Sequence, residues 1–297
     1  MRVTLVTPVY NQAEFLGATI ESVLAQDYSE LEYLVIDDGS SDDSLLVAQR
    51  YEAANPGRLT VLTQLNAGQA ATLNRGWQLG QGELLGYLSS DDCLLPGAIS
   101  SAVSALAAAP DAAVAYCDFE LIDVAGRSIR AVRTEDFDAK RLQVDLVCQP
   151  GPGAFFRRHV FDQTGGWRAD LRQVPDFEFW LRASRLGPFF RVPAILAQYR
   201  VHEGSASFRV MPEARAEEIL GVVRAYYGPV SSQQSSVALS MAHCLVAKNH
   251  AQSVRLFAAL SHWWKALRLA PLAALRPAAL RPLFSGALRR LRYLKRA

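Results

Sequence analysis

Short apolar runs alternate, in the first third of the chain, with segments whose apolar residues repeat at helical spacing. The runs are typical of buried strands, and the segments between them predict amphipathic helices. Strands are predicted from VTLVTP, LEYLVID, LTVLTQ, ELLGYLS and AAVAYCDF, which begin at residues 3, 31, 59, 83 and 112. Because the connections are short, the alternation predicts an α/β fold with a Rossmann-like, mainly parallel sheet flanked by helices.

The pattern changes twice further along the chain. Between residues 118 and 207 it is less regular, with Gly-rich turns and a helix-like segment, VPDFEFWLR, at residues 174–182. From Met211 onward the apolar spacing is helical, although three prolines break the segment after Ala270 into short pieces. We therefore expect one domain over residues 1–210 and a helical C-terminal extension over residues 211–297.

Charge is divided unevenly between these two regions. The chain has 31 Lys and Arg residues against 29 Asp and Glu residues, a formal net charge of +2. Glu218 is the last acidic residue and twelve of the basic residues follow it, which leaves 19 basic residues among the first 218. The C-terminal extension is therefore basic and the larger domain acidic, and regions of opposite charge have different partners.

Composition excludes several classes of protein. The four cysteines are widely spaced without a C-x-x-C pair, which is typical of reduced thiols rather than of a disulfide framework or a zinc site. The apolar run near the N-terminus is too short for a signal peptide. No uncharged apolar run approaches the roughly 18 residues of a spanning helix. These features predict a cytoplasmic protein.

Polar residues follow the predicted strands at their carboxyl ends. Parallel sheets bind ligands at this edge, so we expect these side chains to form one site. The residues concerned are Pro8, Tyr10, Asn11, Asp37, Asp38, Asn66, Asp91 and Asp92.

Asp91 and Asp92 are adjacent carboxylates that follow an apolar strand. One interpretation is a divalent metal site, because carboxylate oxygens bind Mg²⁺ or Mn²⁺ together with substrate phosphates and the cation offsets their repulsion. The alternative is a helix cap and turn before the helix that Pro96 opens. The position at a strand end, beside other carboxylates, favours the metal site.

Asp37 and Asp38 also have two interpretations. A carboxylate at a strand end can accept hydrogen bonds from a nucleobase or a ribose, or it can form an Asx turn with Gly39. The first strand is not followed by G-x-G-x-x-G, and the chain has no G-x-x-x-x-G-K-[ST]. These absences disfavour a dinucleotide-dependent dehydrogenase and a P-loop enzyme.

Asp176 and His202 are the remaining candidates for chemistry. Asp176 stands among aromatic residues, and an apolar setting raises the pKa of a carboxyl group, which suits a general base. The alternative for Asp176 is a helix cap paired with a nearby cation. His202 is a candidate metal ligand or phosphate donor, although a lone histidine is more often an ordinary polar residue.

Taken together, six motifs resemble glycosyltransferase family 2, in the order that the family shows. The resemblance covers about residues 2–207 and rests on VTPVYN, VIDDGSSD, NAGQAATLNRGW, YLSSDDCLLPGAI, GGW with VPDFEFWLR, and YRVHEGSAS. It implies the A-type glycosyltransferase fold and an inverting, metal-dependent transferase that uses a nucleotide-diphosphate sugar. The acceptor would be a saccharide or lipid-linked hydroxyl. The alternative is a non-catalytic nucleotide-sugar-binding module or partner subunit.

The resemblance also implies a role for each matching residue. Asp176 would be the catalytic base, and Asp92 with His202 would hold Mn²⁺ or Mg²⁺, with Asp91 on the ribose side. Two departures leave the identity of the donor open: Ser89-Ser90 where many relatives carry another Asp, and Pro175 in place of an acidic neighbour of the base. The residues implied to bind the nucleotide sugar are Pro8, Tyr10, Asn11, Asp38, Asn66, Asn74 and Asp91.

The basic extension lies outside the matched motifs. Trp263 and Trp264, followed by Arg289, Arg290 and Arg292, are typical of amphipathic helices that dock on an anionic membrane, which here would be its inner face. Packing against the acidic domain and a homodimer interface are the alternatives. Nucleic acid is disfavoured because the basic residues lack a recognised binding module.

Overall fold

The computed structural model describes residues 1–202, 211–277 and 279. Its strands are β1 Val3–Val9, β2 Leu31–Asp37, β3 Thr60–Thr63, β4 Leu84–Tyr87, β5 Cys93–Leu94, β6 Val114–Ile122, β7 Ser128–Val132, β8 Phe155–Arg157 and β9 Phe189–Arg200. Its helices are α1 Ala13–Leu24, α2 Ser44–Ala54, α3 Gln69–Leu79, α4 Ala98–Ala108, α5 Ala139–Gln143, α6 Arg158–Thr164, α7 Pro175–Ala183, α8 Glu213–Tyr227, α9 Gln233–Gln252, α10 Leu256–Leu269 and α11 Pro271–Ala274.

The described residues form two compact units. The first takes Met1–Phe137, Gln149–Asp170 and the chain from Pro175 to His202. The second takes Asp138–Cys148, Leu171–Val174 and the described residues from 211 onward. The second unit therefore includes two segments that precede the C-terminal extension in sequence.

The sheet of the first unit has the strand order β3-β2-β1-β4-β8-β6-β9-β5, and β7 pairs with β6. Strands β3, β2, β1 and β4 are parallel, and every residue of the central strand β1 is buried. Since β2 and β4 lie on opposite sides of β1, the chain reverses its winding direction at this strand. Such a reversal opens a crevice at the carboxyl ends of the strands.

The second half of the sheet is mixed. β8 is antiparallel to both β4 and β6, β9 is parallel to β6, and the short β5 is antiparallel to β9. The structure confirms the predicted Rossmann-like sheet flanked by helices, with the antiparallel pairs confined to the strands beyond β4. The pairing of β5 with β9 matters for the site, because it brings the end of β9 beside the Asp91-Asp92 segment.

Helix α3 packs closely against β1. Gly76 faces the strand so tightly that a Cβ atom there would lie 2.6 Å from a methyl carbon of Val6 and 3.1 Å from Ile36. The next residue, Trp77, is fully buried and donates from Nε1 to the Gly86 carbonyl at 3.0 Å. Around the Trp77 indole lie the rings of Tyr87, Phe156, Phe161, Trp167 and Phe179.

The second unit is helical. The Glu218 carboxylate of α8 accepts hydrogen bonds from the backbone N–H groups of Arg172, Gln173 and Val174, which attaches the segment Leu171–Val174 to this helix. Ser240 of α9 donates to the Ala266 carbonyl of α10 at 2.9 Å. Among the described helices, none is both long and apolar enough to cross a membrane.

The close approach at Gly76 leads to a test of the fold. Gly76→Ala should lower the stability of the first unit by about 1–3 kcal/mol, because overpacking against the buried Val6 outweighs the helix preference for alanine of roughly 0.5–1 kcal/mol. Thermal unfolding followed by circular dichroism measures the effect. Gly221→Ala in α8 is the matched control, since a Cβ there meets no atom within 4 Å, and it should keep or raise the melting temperature. Equal behaviour of the two variants would contradict the packing argument.

Candidate active site

The loop after β1 is fastened to the turn after β2. Asn11 has a positive φ of 52°, a conformation that asparagine tolerates better than most residues. Its backbone N–H donates to Ser40 Oγ at 3.0 Å, and its side-chain oxygen accepts from the Ser41 N–H at 2.8 Å. Asp42 accepts from the N–H of Ala13 at 3.1 Å, at the start of α1. These bonds fix the two strand ends as one surface, with Asn11 as part of its framework.

Asp38 holds the loop that leads into α3. Its side chain is 3% exposed, and Oδ1 accepts from Gln64 Nε2 at 2.7 Å and from the Ala67 N–H at 2.8 Å. Oδ2 accepts from the Gly68 N–H at 2.7 Å. A carboxylate bound to N–H groups at a helix N-terminus is favoured by the helix dipole. The structure thus gives Asp38 a structural role that the sequence did not predict, beside the predicted contact with a nucleobase.

Three further predicted residues differ in exposure at this edge. Pro8 is buried within β1, whereas Tyr10 and Asn66 are exposed, Tyr10 by 51%. Exposed side chains at the carboxyl ends of β1 and β3 are available to a ligand. For Pro8, which is buried, contact with the nucleotide stays a prediction.

His202 meets Asp91 rather than Asp92. The distance from His202 Nε2 to Asp91 Oδ2 is 2.9 Å, and the Phe15 ring packs against the imidazole with centroids 4.9 Å apart. The two side chains keep 10% and 18% of their surfaces accessible. A carboxylate oxygen and an imidazole nitrogen lie side by side here, at the carboxyl end of β4.

Asp92 is buried behind this pair. It is 4% exposed, and Oδ1 accepts from the Arg200 N–H at 2.9 Å. Burial, and then the negative charge of Asp91, raise the pKa of Asp92 well above the usual range, while the Arg200 N–H and guanidinium act in the opposite direction. The backbone of β9 therefore holds Asp92, and the imidazole contacts Asp91, while metal binding by Asp92 and His202 stays a prediction.

Arg200 is a site residue that sequence analysis missed. It is 5% exposed, and Nε donates to the Asp91 carbonyl at 2.9 Å while Nη1 donates to the Asp123 and Val124 carbonyls. Its guanidinium also lies over the Phe15 ring, 5.0 Å from the centroid. Arg200 thereby holds the backbone of the Asp91-Asp92 segment in place. Its position two residues before His202 in YRVH was the one signal in the sequence.

The Asn74 side chain forms hydrogen bonds with the backbone of Trp167. Its Nδ2 donates to the Trp167 carbonyl at 2.7 Å, and its Oδ1 accepts from the Trp167 N–H at 2.8 Å. At Gly166, with φ 79°, a Cβ atom would lie 2.2 Å from the same oxygen. These two bonds use one donor and one acceptor of the amide, and the nucleotide-binding role of Asn74 stays a prediction. Asn74 fastens α3 to the Gly-Gly-Trp turn.

Asp176 lies in the first turn of α7, and burial raises the pKa of its carboxyl group, against the opposing effect of the N–H groups of Phe177 and Asp176 itself. Arg182, two turns on, makes two bonds to Glu178, at 2.8 and 2.6 Å. The same guanidinium donates to the carbonyls of Thr164 and Gly166. α7 is thus fixed to the turn that Asn74 also holds.

Relatives found by sequence are glycosyltransferases and polysaccharide synthases. An uncharacterised glycosyltransferase of Rickettsia typhi is 26% identical over 226 residues, 73% of this chain and 70% of that protein. The chondroitin synthase of Escherichia coli is 26% identical over 242 residues, which cover 77% of this chain. The chain spans only 34% of the length of that synthase, and 64% of a Rickettsia prowazekii relative.

Two solved structures share the fold. Staphylococcus aureus TarS, residues 1–349, in complex with UDP-GlcNAc aligns over 97% of this chain and 89% of that one, with a TM-score of 0.68 and 16% identity. The mannosyltransferase PcManGT of Pyrobaculum calidifontis, in complex with GDP-Man and Mn²⁺, aligns over 98% and 87%, with a TM-score of 0.63 and 19% identity. At these identities the likeness establishes the fold.

The family model for glycosyl transferase family 2 matches residues 4–165, more than half of the chain. The match includes β1 from its second residue, Asp38, α3 and the Asp91-Asp92 segment. The order of the motifs, the strand reversal at β1 and the match to the family model agree. This chain belongs to glycosyl transferase family 2.

Proposed function

We propose that this nucleotide-sugar glycosyltransferase inverts the anomeric centre of the sugar, depends on Mn²⁺, and transfers the sugar to a hydroxyl of a saccharide or a lipid-linked saccharide. The observation that carries the proposal is the 2.9 Å approach of Asp91 Oδ2 to His202 Nε2. At the carboxyl end of β4, a carboxylate and an imidazole are close enough to bind one cation together. That cation would in turn bind a diphosphate.

The donor set fits a divalent cation. Two neighbouring ligands of an octahedral ion with bonds of roughly 2.1 Å are about 3 Å apart, close to the separation of these two atoms. Imidazole nitrogen suits first-row transition metals, whereas Mg²⁺ prefers oxygen ligands alone, so Mn²⁺ is the better fit. When bound, the cation would offset the negative charge that develops on the diphosphate leaving group. Asp91 and His202 would hold it, in place of the predicted Asp92 and His202.

Nucleoside recognition is assigned to the ends of β1, β2 and β3. Tyr10 and Asn66 are exposed there, and Asn11 and Asp38 hold the loops that present them. An aromatic ring and an amide at the mouth of a crevice can stack on a base and hydrogen-bond to its edge. The remaining lone-pair capacity of the Asp38 carboxylate is also available to a base N–H.

Asp176 is assigned as the general base. It accepts the proton of the acceptor hydroxyl as that oxygen attacks the anomeric carbon from the face opposite the diphosphate. The bond to the diphosphate breaks as the new glycosidic bond forms, so a single displacement inverts the configuration. Burial in the first turn of α7 raises the pKa of Asp176, which increases its affinity for that proton.

The acceptor class is inferred from the printed names of relatives. One is the chondroitin synthase already described, and another is an O-antigen biosynthesis protein, RfbC, of Myxococcus xanthus, 31% identical over 61% of this chain. Both names refer to polysaccharide assembly. We infer that the product is a polysaccharide or a lipid-linked precursor of one.

The assignment of the base is tested with Asp176→Asn. We expect the turnover number to fall by about 10²- to 10⁴-fold, because the amide cannot accept the proton. The affinity for the nucleotide sugar should stay within about twofold of that of the native chain, because the amide has the same shape as the carboxylate. Asp162→Asn, an exposed residue of α6, is the matched control and should keep activity. Substantial turnover by Asp176→Asn would exclude this base.

The pH dependence gives a second readout for the same residue. The base acts only when deprotonated, so the turnover number should fall as pH decreases through the pKa of Asp176. Since burial raises that pKa, the fall should begin at a higher pH than for an ordinary Asp. The acid limb should vanish from the residual activity of Asp176→Asn.

The metal assignment separates the two neighbouring carboxylates. Asp91→Asn should weaken Mn²⁺-dependent binding of a nucleoside diphosphate by at least about tenfold, or 1.4 kcal/mol, measured by calorimetry with and without Mn²⁺. Asp92→Asn should have a smaller effect, because an amide oxygen still accepts from the Arg200 N–H. A larger loss of binding in Asp92→Asn than in Asp91→Asn would instead identify Asp92 as the metal ligand.

The imidazole should determine which metal is preferred. With the native chain, the nucleoside diphosphate should bind more tightly in Mn²⁺ than in equal Mg²⁺, and His202→Ala should narrow that difference by lowering the affinity in Mn²⁺. His159→Ala, a histidine of α6, is the control and should keep the preference. An unchanged Mn²⁺ preference in His202→Ala would remove His202 from the metal site.

A further inference from the structure

Helix α10 presents an apolar face to solvent. Phe257 is 92% exposed, Leu260 62%, Trp264 58% and Leu256 56%. At ~100° per residue, these four positions fall within about 100° of arc, so they form one stripe along the helix. We call this stripe the α10 apolar face. Most helices of a folded protein turn such a stripe inward.

The opposite side of α10 is already packed. Ala259, His262 and Ala266 are buried, and Ala266 accepts the hydrogen bond from Ser240 of α9. Trp263 and Trp264 are therefore unequal: Trp263 has its indole nitrogen buried, while Trp264 lies on the apolar face. The exposed stripe is additional to the surface that α10 uses to pack in its own unit.

Two cations lie along one side of the α10 apolar face. Lys265 and Arg268 are exposed, and at ~100° per residue Arg268 lies about 20° beyond Phe257, with Lys265 further round. No acidic residue follows Glu218 in the sequence. An apolar stripe that contains a tryptophan and is bordered on one side by lysine and arginine suits a helix that lies in a membrane interface.

Two further apolar side chains are exposed just after α10. Leu272, in α11, is 85% exposed and Leu275, just after it, 51%. Arg276 forms an ion pair with Asp145 at 2.9 Å, so its positive charge is partly neutralised within the unit. Arg289, Arg290 and Arg292, which the sequence also pointed to, lie outside the described residues.

We propose that the α10 apolar face is a docking surface for an anionic lipid bilayer, with Phe257, Leu260 and Trp264 entering the interface and Lys265 and Arg268 contacting acidic headgroups. Charge complementarity selects this occupant. A second copy that met this one face to face through α10 would bring the same cations together and repel, whereas a surface of acidic lipid attracts them. The proposal does not depend on the identity of the donor, the acceptor or the metal.

The test uses the full chain and sucrose-loaded vesicles, either pure phosphatidylcholine or phosphatidylcholine with ~30% phosphatidylglycerol, without nucleotide. We expect co-sedimentation with the anionic vesicles, weaker binding to the neutral ones, and a decline as salt is raised. Phe257→Ser combined with Leu260→Ser should lower the partition coefficient by at least about tenfold, while Lys265→Gln with Arg268→Gln should remove most of the preference for anionic vesicles.

The matched control is Leu46→Ser combined with Leu79→Ser, two exposed leucines of the first unit, which should bind as the native chain does. Unchanged melting temperatures show that each variant is folded. The proposal is overturned if the native chain binds neither vesicle, or if Phe257→Ser with Leu260→Ser binds normally. It is also overturned if Arg289, Arg290 and Arg292 changed to Gln alone abolish binding, or if sedimentation shows a dimer that only the α10 variant disrupts.

Discussion

Helix α3 is held at three points, and the arrangement of the site depends on it. Its start is bound by the buried carboxylate of Asp38, its inner face touches β1 through Gly76, and Asn74 binds the backbone of Trp167. Buried hydrogen bonds of this kind are costly to leave unmade, so each fixes a position as well as contributing stability. Through α3, the loop proposed to bind the nucleoside and the turn beside α7, which carries the proposed base, share one rigid support.

A second support enters from the far side of the sheet. Strand β9 pairs with β5, and its last residue, Arg200, binds the Asp91 carbonyl while its own N–H binds Asp92. Two adjacent carboxylates would otherwise repel and move freely. The end of β9 gives the two carboxylates different surroundings, with Asp92 buried and Asp91 beside His202. A sheet made partly antiparallel is what brings residues 200 and 91 together.

Sequence patterns predicted the parallel half of the sheet, the helices and a site at the carboxyl ends of the strands. Strands buried on both faces appear as apolar runs, and amphipathic helices appear as apolar residues at helical spacing. The family resemblance assigned Asp92 and His202 to one metal site with Asp91 on the ribose side, and in the structure the His202 imidazole contacts Asp91. Sequence patterns could not decide which carboxylate meets the imidazole, since that depends on the register of β5 against β9, between residues more than a hundred positions apart. Nor could they show that the Asn74 side chain binds the backbone of Trp167. The sequence does not distinguish an asparagine that faces a ligand from one that bonds a backbone group.

The contrast in exposure between Asp38 and its neighbours bears on how donor preference can change in this family. Tyr10 and Asn66 are exposed at the strand ends, and no described side-chain hydrogen bond ties them to the framework, whereas Asp38 carries the start of a helix. Under the proposed assignment, substitutions of Tyr10 and Asn66 alter the surface offered to a base and leave the start of α3 intact. Under that assignment, donor preference can change through Tyr10 or Asn66 without loss of these bonds. A substitution of Asp38 would also remove the hydrogen bonds to the N–H groups of Ala67 and Gly68.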